Sequence, residues 1–471
     1  MKATSTTIIN SKIGESKGHL RIWLEGGKLS RCGYSPDDRY NIHISGGKIE
    51  LTREEHGNFA VSRRNKGGRT YPLIEITSAR CGDLSNIFSH EQQIRIVVTT
   101  DKIVITKHHI DTQILERENR ILAKLATGAA LDTGSLFFGF GMLDCAAHDG
   151  LEEAGIRTQL SVIVEREAKY LDPALEKNAH MLSSAHYIIE SPIQAARITD
   201  RQPVDLLIAG IPCTGASKSG KAKNKNKTAE EHPDAGAMFY YTLRCIELLN
   251  PALITLENVT EYANTESMAV IRSVLDNMGY DVVEMTLSGV DFGSIEDRKR
   301  LCVFAVSKNL DFNIFPMKEM IGHRMNRSMK AEVLSDILED IPLDSPAWKN
   351  YDYLAEKEMR DIEAGKGFRR QLLDGNEETC GTIGRHYNKG RSTEPFIKHP
   401  TDPTKSRLLT VKEHAAVKGY PLSKLNPEMS VTTAHEALGQ GVIYPAFRAA
   451  FRVLGDFLSQ YLKADSIEIA A

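Results

Sequence analysis

Apolar and polar residues alternate through short segments of the first 110 positions. Clear examples are residues 20–24, 40–44 and 48–52, and Gly, Asp or Asn residues separate these segments. A period of two is typical of strands that bury only one face. The pattern therefore predicts a small β domain over residues 1–110.

The same pattern returns 54 residues further along, without a gap. Leu20 and Ile22 correspond to Ile74 and Ile76, and segment 48–52 corresponds to 102–106. A fixed offset indicates duplication of one β unit, and two copies can bury each other's apolar faces. The segment 1–110 holds 17 Lys and Arg against 11 Asp and Glu, a balance of +6. Two interpretations stay open: a β appendage with a solvated face, or a DNA-binding module.

The period changes to that of a helix after residue 110. Apolar residues at helical spacing among charged ones predict a connector helix within 111–130. Short apolar runs then alternate with helical stretches: strands are predicted at 135–138, 160–164, 204–208 and 253–256, and helices at 173–180 and 235–249. This alternation predicts an α/β fold, with a mostly parallel sheet covered by helices on both faces.

The pattern becomes irregular after residue 306. Residues 307–406 contain an acidic helical part (332–363) and a basic part (366–405, with 8 Lys and Arg against 5 Asp and Glu). Helices are predicted again at 410–418 and 446–461.

Composition narrows the class of protein. Hydrophobic residues make up 41% of the chain and charged residues 26%, which is typical of a globular protein. The net charge is −3, so any nucleic-acid surface must be local. Seven cysteines without a CxxC pair argue against a disulfide framework or a zinc ribbon. No segment has the pattern of a signal peptide or a membrane span, and a cytoplasmic location is predicted.

Two features predict a site for a nucleoside-bearing cofactor. The first predicted strand of the α/β region runs into Phe137-Phe138-Gly139-Phe140-Gly141, where two glycines allow a tight turn and close approach to a ligand. The second ends at Glu165, which is placed to accept hydrogen bonds from ribose hydroxyls.

A cysteine follows the third predicted strand. Pro212 and nearby glycines indicate that Cys213 lies in a loop, where the carboxyl ends of parallel strands line a site. Five lysines follow within ten positions, and they form either a solvated loop or a mobile loop that meets phosphates. Their charge is expected to lower the pKa of the Cys213 thiol. These lysines are Lys218, Lys221, Lys223, Lys225 and Lys227.

The fourth predicted strand ends in a carboxylate, Glu257, next to the strand of Cys213. A buried carboxylate needs a partner, and beside a nucleophile it can act as an acid. Arg298 and Arg300 precede the following apolar strand, so they can hold an anion or a carbonyl oxygen. An edge strand with solvated charges is the alternative.

Residues 133–460 resemble the DNA (cytosine-5) methyltransferases, with seven short motifs in the order of that family. The matching segments are Phe137 to Gly141, Glu165, Pro212-Cys213 with Ser217, Glu257-Asn258-Val259, Glu296 with Arg298 and Arg300, Arg407 to Thr410 with Glu413 and Gly419-Tyr420-Pro421, and Gly439 to Val442 with Pro445. Several positions depart from the family pattern, namely Ser135, Met142, Thr214, Glu296, Gln440 and Gly441.

The resemblance implies a Rossmann-like class I methyltransferase that uses S-adenosylmethionine. It implies that Cys213, Glu257, Arg298 and Arg300 act on a flipped-out cytosine in duplex DNA, through a covalent bond from Cys213 to C6. The implied cofactor-binding residues are Phe137, Gly139, Gly141, Glu165, Pro212, Gln440, Gly441 and Val442. Besides the lysine loop, the candidates for DNA contact are Arg385, Lys389 and Arg391.

The resemblance also implies the division of the chain. A catalytic domain over 131–306 is completed by 407–471, and 307–406 forms a target-recognition region. Residues 15–110 resemble the swapped-hairpin β modules of the AbrB-like and SymE-like type. The implied partners are double-stranded DNA and either a cognate restriction endonuclease or none, in a prokaryotic or phage-like setting without a membrane.

Three alternatives remain at this point. The same scaffold can methylate cytosine in tRNA, although the insert of about 100 residues and the β module favour DNA. A regulator that binds DNA without catalysis is the second alternative. A nicotinamide dehydrogenase is the third, and the absence of a third glycine at the required spacing after Gly141 speaks against it.

Overall fold

In the computed structural model of this chain, the described residues are 5–78, 82, 84–198, 202–216, 227–310, 313–324 and 333–464. The chain divides into two compact units, Met1–Glu116 and Arg117–Ala471. Each unit has an apolar core of its own.

The first unit consists mainly of two antiparallel sheets. One sheet has the order β1-β9-β10-β5-β4-β6 and the other has β2-β3-β8-β7. The elements are β1 (Thr7–Lys12), β2 (Gly14–Ser16), β3 (His19–Glu25), α1 (Gly27–Ser30), β4 (Arg39–Ser45), β5 (Lys48–Arg53), β6 (Phe59–Ala60), β7 (Ser62–Lys66), β8 (Arg69–Thr77), β9 (Gln93–Val98) and β10 (Lys102–Lys107).

A pseudo-twofold relation connects the two halves of this unit. Ile22 of β3 pairs with Ile76 of β8, and Glu50 of β5 pairs with Val104 of β10. In both pairs each residue faces its own counterpart 54 positions along the chain. The repeat in the sequence is therefore also a repeat in space, and both sheets combine strands from the two halves.

The second unit is built on a seven-stranded sheet of the order β13-β12-β11-β14-β15-β17-β16. Strands β11 to β15 run parallel, whereas β17 is antiparallel to both β15 and β16. The strands are β11 (Leu131–Leu136), β12 (Thr158–Glu165), β13 (Leu182–Glu190), β14 (Leu206–Gly210), β15 (Leu253–Asn258), β16 (Tyr280–Ser288) and β17 (Lys299–Ser307).

Helices cover both faces of this sheet, as the alternating pattern predicts. One layer contains the second half of α2 together with α3, α4 and α11, and the other contains α5 and α6. Helices α3 and α11 pack closely, because a Cβ atom on Gly150 would meet the carbonyl oxygen of Arg448 at 2.4 Å. The ranges are α2 (His109–Thr127), α3 (Met142–Glu152), α4 (Ala168–Lys177), α5 (Met238–Leu249), α6 (Glu266–Asn277) and α11 (Tyr444–Leu458).

Residues 307–406 form a smaller part of the same unit. Its four-stranded sheet has the order β18-β21-β20-β19. The elements are α7 (Met317–His323), β18 (Lys349–Asn350), α8 (Asp352–Glu363), β19 (Gln371–Leu373), β20 (Pro395–Lys398) and β21 (Lys405–Arg407). The chain then continues through α9 (Val411–Val417), α10 (Val431–Gln440), α11 and α12 (Tyr461–Ala464).

Several predicted helix boundaries are wrong. The acidic part 332–363 is an α-helix only from Asp352, because Pro342 and Pro346 interrupt the segment before it. The helix predicted at 173–180 begins at Ala168 and keeps Pro173 inside it. The helix predicted at 446–461 begins at Tyr444 and ends at Leu458.

Candidate active site

The loop after β11 has positive φ angles, which residues with a side chain seldom adopt. Phe137, Gly139 and Gly141 have φ angles of 59°, 56° and 72°. A non-glycine residue such as Phe137 in the left-handed region is uncommon and typical of functional loops. Gly141 precedes α3, and a Cβ atom there would meet the Phe138 ring at 2.6 Å. The two predicted glycines are therefore required by the conformation of the loop.

Glu165, at the end of β12, is tied to this loop. Its Oε2 accepts a hydrogen bond from the N–H of Gly139 at 2.7 Å, and its Oε1 accepts the N–H groups of Arg166 and Glu167 at 2.8 and 2.9 Å. The Oε2 atom keeps a second lone pair, whereas Oε1 already accepts two hydrogen bonds. The space that a Cβ atom on Gly139 would enter is open to 4 Å. The residues therefore fit a ligand that brings hydroxyl donors, such as the ribose of S-adenosylmethionine.

The segment 440–442 contacts the start of α3. A Cβ atom on Gly441 would lie 2.1 Å from Sδ of Met142, whose side chain is buried. Val442 is also buried, whereas Gln440 is exposed and its Nε2 donates to the carbonyl of Glu436 at 3.2 Å. Met142 and Gly441 are both departures from the family pattern, and they fit each other: the larger side chain at 142 requires the absence of one at 441.

Asn258 holds the cysteine loop in place. Its Nδ2 donates to the carbonyl of Ile211 at 3.2 Å, and its Oδ1 accepts the N–H of Val259 at 2.8 Å. Pro212 and Cys213 follow directly and are half-buried. The amide of Asn258 therefore connects the ends of the two strands that carry Cys213 and Glu257.

Glu257 and Arg300 form a largely buried ion pair at the carboxyl end of the parallel strands. The Nε of Arg300 lies 3.1 Å from Oε1 of Glu257, and Glu257 stands beside Gly210, three residues before Cys213. Burial raises the pKa of Glu257, and Arg300 and Arg298 oppose that rise. Burial lowers the pKa of Arg300 to about 10. Protonated Glu257 can donate a hydrogen bond, while Arg300 keeps its positive charge at neutral pH.

The described surroundings of Cys213 raise the pKa of its thiol, and the expected effect of the lysine loop falls largely on residues that are not described. Burial raises the pKa of this thiol, and the neighbouring Glu257 carboxylate raises it further. Arg300 and Arg298 act in the opposite direction. The cations that favour the thiolate are thus two arginines on and just before β17. Of the lysine loop only Lys227 is described, and Lys218, Lys221, Lys223 and Lys225 lie outside the described residues.

Arg298 and Arg300 have different surroundings although they are two positions apart. Arg298 is buried, and its Nη1 donates to the carbonyls of Ile383 and Gly439, both at 3.2 Å. The structure therefore places the guanidinium of Arg298 between backbone segments, and that of Arg300 against Glu257.

The predicted DNA-contacting residues of 307–406 are not equivalent either. Lys389 and Arg391 are exposed. The guanidinium of Arg385 lies over the ring of Tyr170, 5.5 Å from its centre, and is partly buried. Lys227 is exposed as well.

Sequence reasoning missed Lys418, which is completely buried with its Nζ 2.7 Å from Oε2 of Glu296. The available signal was its place beside Ala415 and Val417, in a helix whose periodicity already indicated a buried face. A lysine on that face requires a buried anion.

The mostly parallel sheet carries the glycine loop and Glu165 at the carboxyl ends of β11 and β12. The cysteine loop and the Glu257–Arg300 pair lie at the same end of the sheet, on β14, β15 and β17. These features define a Rossmann-like class I methyltransferase. The family described as C-5 cytosine-specific DNA methylase matches residues 131–455, more than half of the chain. The chain belongs to this family, whose members transfer a methyl group from S-adenosylmethionine to C5 of cytosine in DNA.

Curated relatives agree with this assignment. Type II methyltransferase M.Bsp6I of Bacillus sp. (strain RFL6) is 26% identical over 331 residues, which are 68% of this chain and 96% of that protein. Type II methyltransferase M.MspI of Moraxella sp is 31% identical over 249 residues, or 51% of this chain and 53% of that protein. DNA-cytosine methyltransferase of Escherichia coli (strain K12) is 25% identical over 291 residues, or 54% and 61%. The matches thus span about half to two thirds of the last two relatives.

Solved structures support the fold alone. Dnmt2 methyltransferase of S. pombe gives a TM-score of 0.51 at 16% identity, over 70% of this chain and 98% of that one. A DNMT2 mutant of Spodoptera frugiperda gives 0.52 at 15% identity, over 69% and 99%. Of the described helices, none combines the length and apolar composition that a bilayer crossing requires.

Proposed function

We propose that Cys213 is the nucleophile that adds to C6 of the target cytosine, with Glu257 and Arg300 acting on the same ring. The observation that carries this proposal is the 3.1 Å contact between Arg300 and Glu257, beside the strand that leads into the cysteine loop. A thiol, an acid and a fixed cation at one strand edge are the groups that nucleophilic addition to a pyrimidine needs.

The roles follow from the chemistry of the ring, whose C5 is a poor nucleophile. Addition of the Cys213 thiolate forms an S–C6 bond and moves an electron pair onto C5. Glu257, in its protonated form, donates a hydrogen bond to N3 and offsets the charge that builds on the ring. S-adenosylmethionine supplies the electrophilic methyl group for C5, and its S–CH3 bond breaks to leave S-adenosylhomocysteine. Loss of the C5 proton to solvent then returns the electron pair and expels the Cys213 sulfur, which leaves 5-methylcytosine.

Arg300 provides a fixed cation for the carbonyl oxygen of the base, because burial against Glu257 holds its guanidinium in one orientation. Glu165 is suited to the ribose hydroxyls of the methyl donor. The other residues proposed to line that cofactor site are Phe137, Gly139, Gly141, Pro212, Gln440, Gly441 and Val442.

A base inside a duplex is stacked and out of reach, so the target cytosine has to leave the helix. We propose that Lys389 and Arg391, both exposed in the 307–406 region, contact the DNA on which this occurs. Five further lysines, proposed to meet the DNA backbone, follow Cys213 in the sequence within 218–227. Arg385 is expected to contribute less, since its guanidinium already lies over Tyr170.

The first unit is proposed as an auxiliary DNA-contacting module. Arg63, Lys66 and Arg69 are exposed on the hairpin of β7 and β8. Deletion of residues 1–108 is expected to weaken binding to mixed-sequence duplex DNA, with the larger difference at low salt. Equal affinity of the two proteins at 50 mM and 200 mM salt would exclude this role.

A cognate restriction endonuclease is the proposed partner in the cytoplasm of a prokaryotic cell, since two of the relatives are named type II methyltransferases. Plasmid DNA from cells that express the protein is expected to resist one endonuclease of matching specificity. Bisulfite sequencing of the same DNA identifies that target, and plasmid that stays sensitive to every cytosine-blocked enzyme would contradict the proposal.

The central test compares two cysteine variants. Cys213→Ala is expected to abolish transfer of tritium-labelled methyl groups to duplex DNA while it retains binding of S-adenosylmethionine in calorimetry. Cys245→Ala, at a buried cysteine of α5, is the matched control and is expected to remain active. Full activity of Cys213→Ala would end the covalent proposal.

A second experiment traps the intermediate. Duplex DNA with 5-fluorocytosine at the target is expected to form a stable protein–DNA adduct, because fluorine at C5 does not leave as a proton does. Peptide mass spectrometry is expected to place the adduct on Cys213. Transfer of label to tRNA rather than duplex DNA, in parallel reactions, would overturn the substrate assignment.

A further inference from the structure

Lys418, the residue that directly follows α9 as its C-cap, is fully buried in the second unit. Its Nζ lies 2.7 Å from Oε2 of Glu296, and both side chains are inaccessible to solvent. Taking two charges out of water is unfavourable unless they pair closely, and loss of one partner leaves an uncompensated buried charge. A buried ion pair at this place is therefore expected to have a specific structural or functional purpose.

Glu296 belongs to a short segment that two other parts of the chain hold. The N–H groups of Ile295 and Glu296 both donate to the carbonyl of Val417 at 3.0 Å, and Asp297 donates to the carbonyl of Cys380 at 2.8 Å. The Oε1 of Glu296 accepts the N–H of Ile383 at 2.8 Å. The carboxylate therefore connects the end of α9 with Ile383, inside the 307–406 region.

The same segment leads directly into the active site. Arg298, whose Nη1 lies 3.5 Å from Oε1 of Glu296, donates to the carbonyls of Ile383 and Gly439. Arg300 follows two residues later and contacts Glu257. The carbonyl of Gly439 precedes the proposed cofactor segment 440–442. Residues 295–298 thus anchor the chain directly before Arg300, whose own backbone pairs with Leu287 of β16.

We propose that Lys418 is a positioning residue for methyl transfer: by neutralising the buried carboxylate of Glu296, it holds residues 295–298 in place and thereby fixes Arg298 and Arg300. Lys418 has no contact with substrate in this role. The inference rests on the proposed function of Arg300, and it adds a residue that none of the motifs contains as a functional group.

The charge of Lys418 is sensitive to pH. Burial lowers its pKa to about 7, Arg298 and Arg300 act in the same direction, and Glu296 opposes them. The other titratable groups that interact with it are Cys380, His414 and Glu257. A rise in pH through about 7 removes the proton, so the unpaired Glu296 no longer holds its segment. The activity of the native protein is therefore expected to fall on the alkaline side.

The test uses the full-length protein, tritium-labelled S-adenosylmethionine and unmethylated duplex DNA of mixed sequence. Lys418→Met is expected to lower kcat by at least about tenfold, with little change in KM for S-adenosylmethionine. The double variant Lys418→Met with Glu296→Gln leaves no unpaired charge, and it is expected to recover most of the kcat and to lose the alkaline fall in activity. An inactive native protein would be a failure of the proposed function, not of this inference.

A matched control removes another buried ion pair of the same unit. The double variant Arg407→Met with Glu413→Gln is expected to lower the melting temperature without moving the pH profile, because this pair lies at the first turn of α9 and includes neither Lys418 nor Glu296. If Lys418→Met does not fold, the pH profile of the charge-free double variant carries the test. A native kcat in folded Lys418→Met, or an unchanged alkaline fall in the double variant, would overturn the proposal.

Discussion

The Nε of Arg300 lies 3.1 Å from Oε1 of Glu257, and the pair stands where the cysteine loop leaves its strand. The two opposite charges act in opposite directions on the protonation of the Cys213 thiol. The carboxylate favours the thiol form of Cys213, whereas the guanidinium favours the thiolate. The balance between them sets the fraction of reactive nucleophile.

Replacement of Arg300 by Met tests this balance. The pKa values of Cys213 and Glu257 are both expected to rise, because the main cation that lowers them is removed. Alkylation of Cys213 by iodoacetamide, followed by peptide mass spectrometry, is then expected to have its midpoint at higher pH. A fall in kcat of about 10²–10³-fold accompanies loss of such a fixed charge.

Arg272→Met is the control for this experiment, since Arg272 pairs with Glu284 away from the cysteine loop. It is expected to leave the alkylation midpoint where it is in the native protein. An unchanged midpoint in Arg300→Met would show that the guanidinium does not act on the thiol.

The fit between Met142 and Gly441 predicts a compensated pair. Gly441→Ser puts atoms where Sδ of Met142 stands, and it is expected to cost about 1–3 kcal/mol of stability and to weaken binding of S-adenosylmethionine. Met142→Gly in the same chain makes room, so the double variant is expected to regain the binding constant that calorimetry gives for the native protein. Gly367→Ser, at a glycine with open space, serves as the control. Additive losses in the double variant would refute the pairing.

A buried histidine pair predicts sensitivity to acid. The Nδ1 atoms of His414 and His435 lie 2.9 Å apart, and burial lowers the pKa of His435 to about 4 and that of His414 well below its usual value. In the unfolded chain these two histidines bind protons near pH 6.5, whereas in the folded chain they bind protons only at lower pH. The contribution of the two histidines to the free energy of unfolding is therefore complete above pH 6.5. The free energy of unfolding falls by about 1.4 kcal/mol per pH unit for each histidine as pH drops towards 4.

His435→Gln is expected to reduce that slope by the share of one proton, as measured by urea unfolding at pH 4.5, 5.5 and 6.5. His323→Gln, at an exposed position, is expected to reproduce the native slope. Equal slopes in the native protein and in His435→Gln would assign the acid sensitivity to other groups.

The pseudo-twofold relation of the first unit predicts matched losses at its two central positions. Ile22 and Ile76 are both buried and pair with each other, so Ile22→Ala and Ile76→Ala are each expected to cost about 2–5 kcal/mol. Urea unfolding of residues 1–108, followed by circular dichroism, measures the loss. Ile8→Ala, at an exposed apolar residue, is the control, and tolerance of either central change would contradict the paired core.

Local patterns in the sequence determine much of this protein. The period of two and the 54-residue offset give the paired strands of the first unit, because half-buried strands require alternation. The glycines at 139 and 141, and the acid at 165, follow from the backbone and ligand chemistry of one loop. Cys213, Glu257 and Arg300 are also recognisable. Cys213 and Glu257 lie near the carboxyl ends of β14 and β15, and Arg300 lies at the beginning of β17.

Tertiary structure alone decided which residues far apart in the sequence contact each other. Lys418 and Glu296 are 122 positions apart, and Met142 and Gly441 are 299 apart, so nothing local indicates their contact. The direction of the Cys213 pKa was decided in the same way, because burial and the Glu257 carboxylate raise it against Arg300 and Arg298. Burial and pairing are properties of the packed chain, and they fix both the cost of a charge and the residue that compensates it.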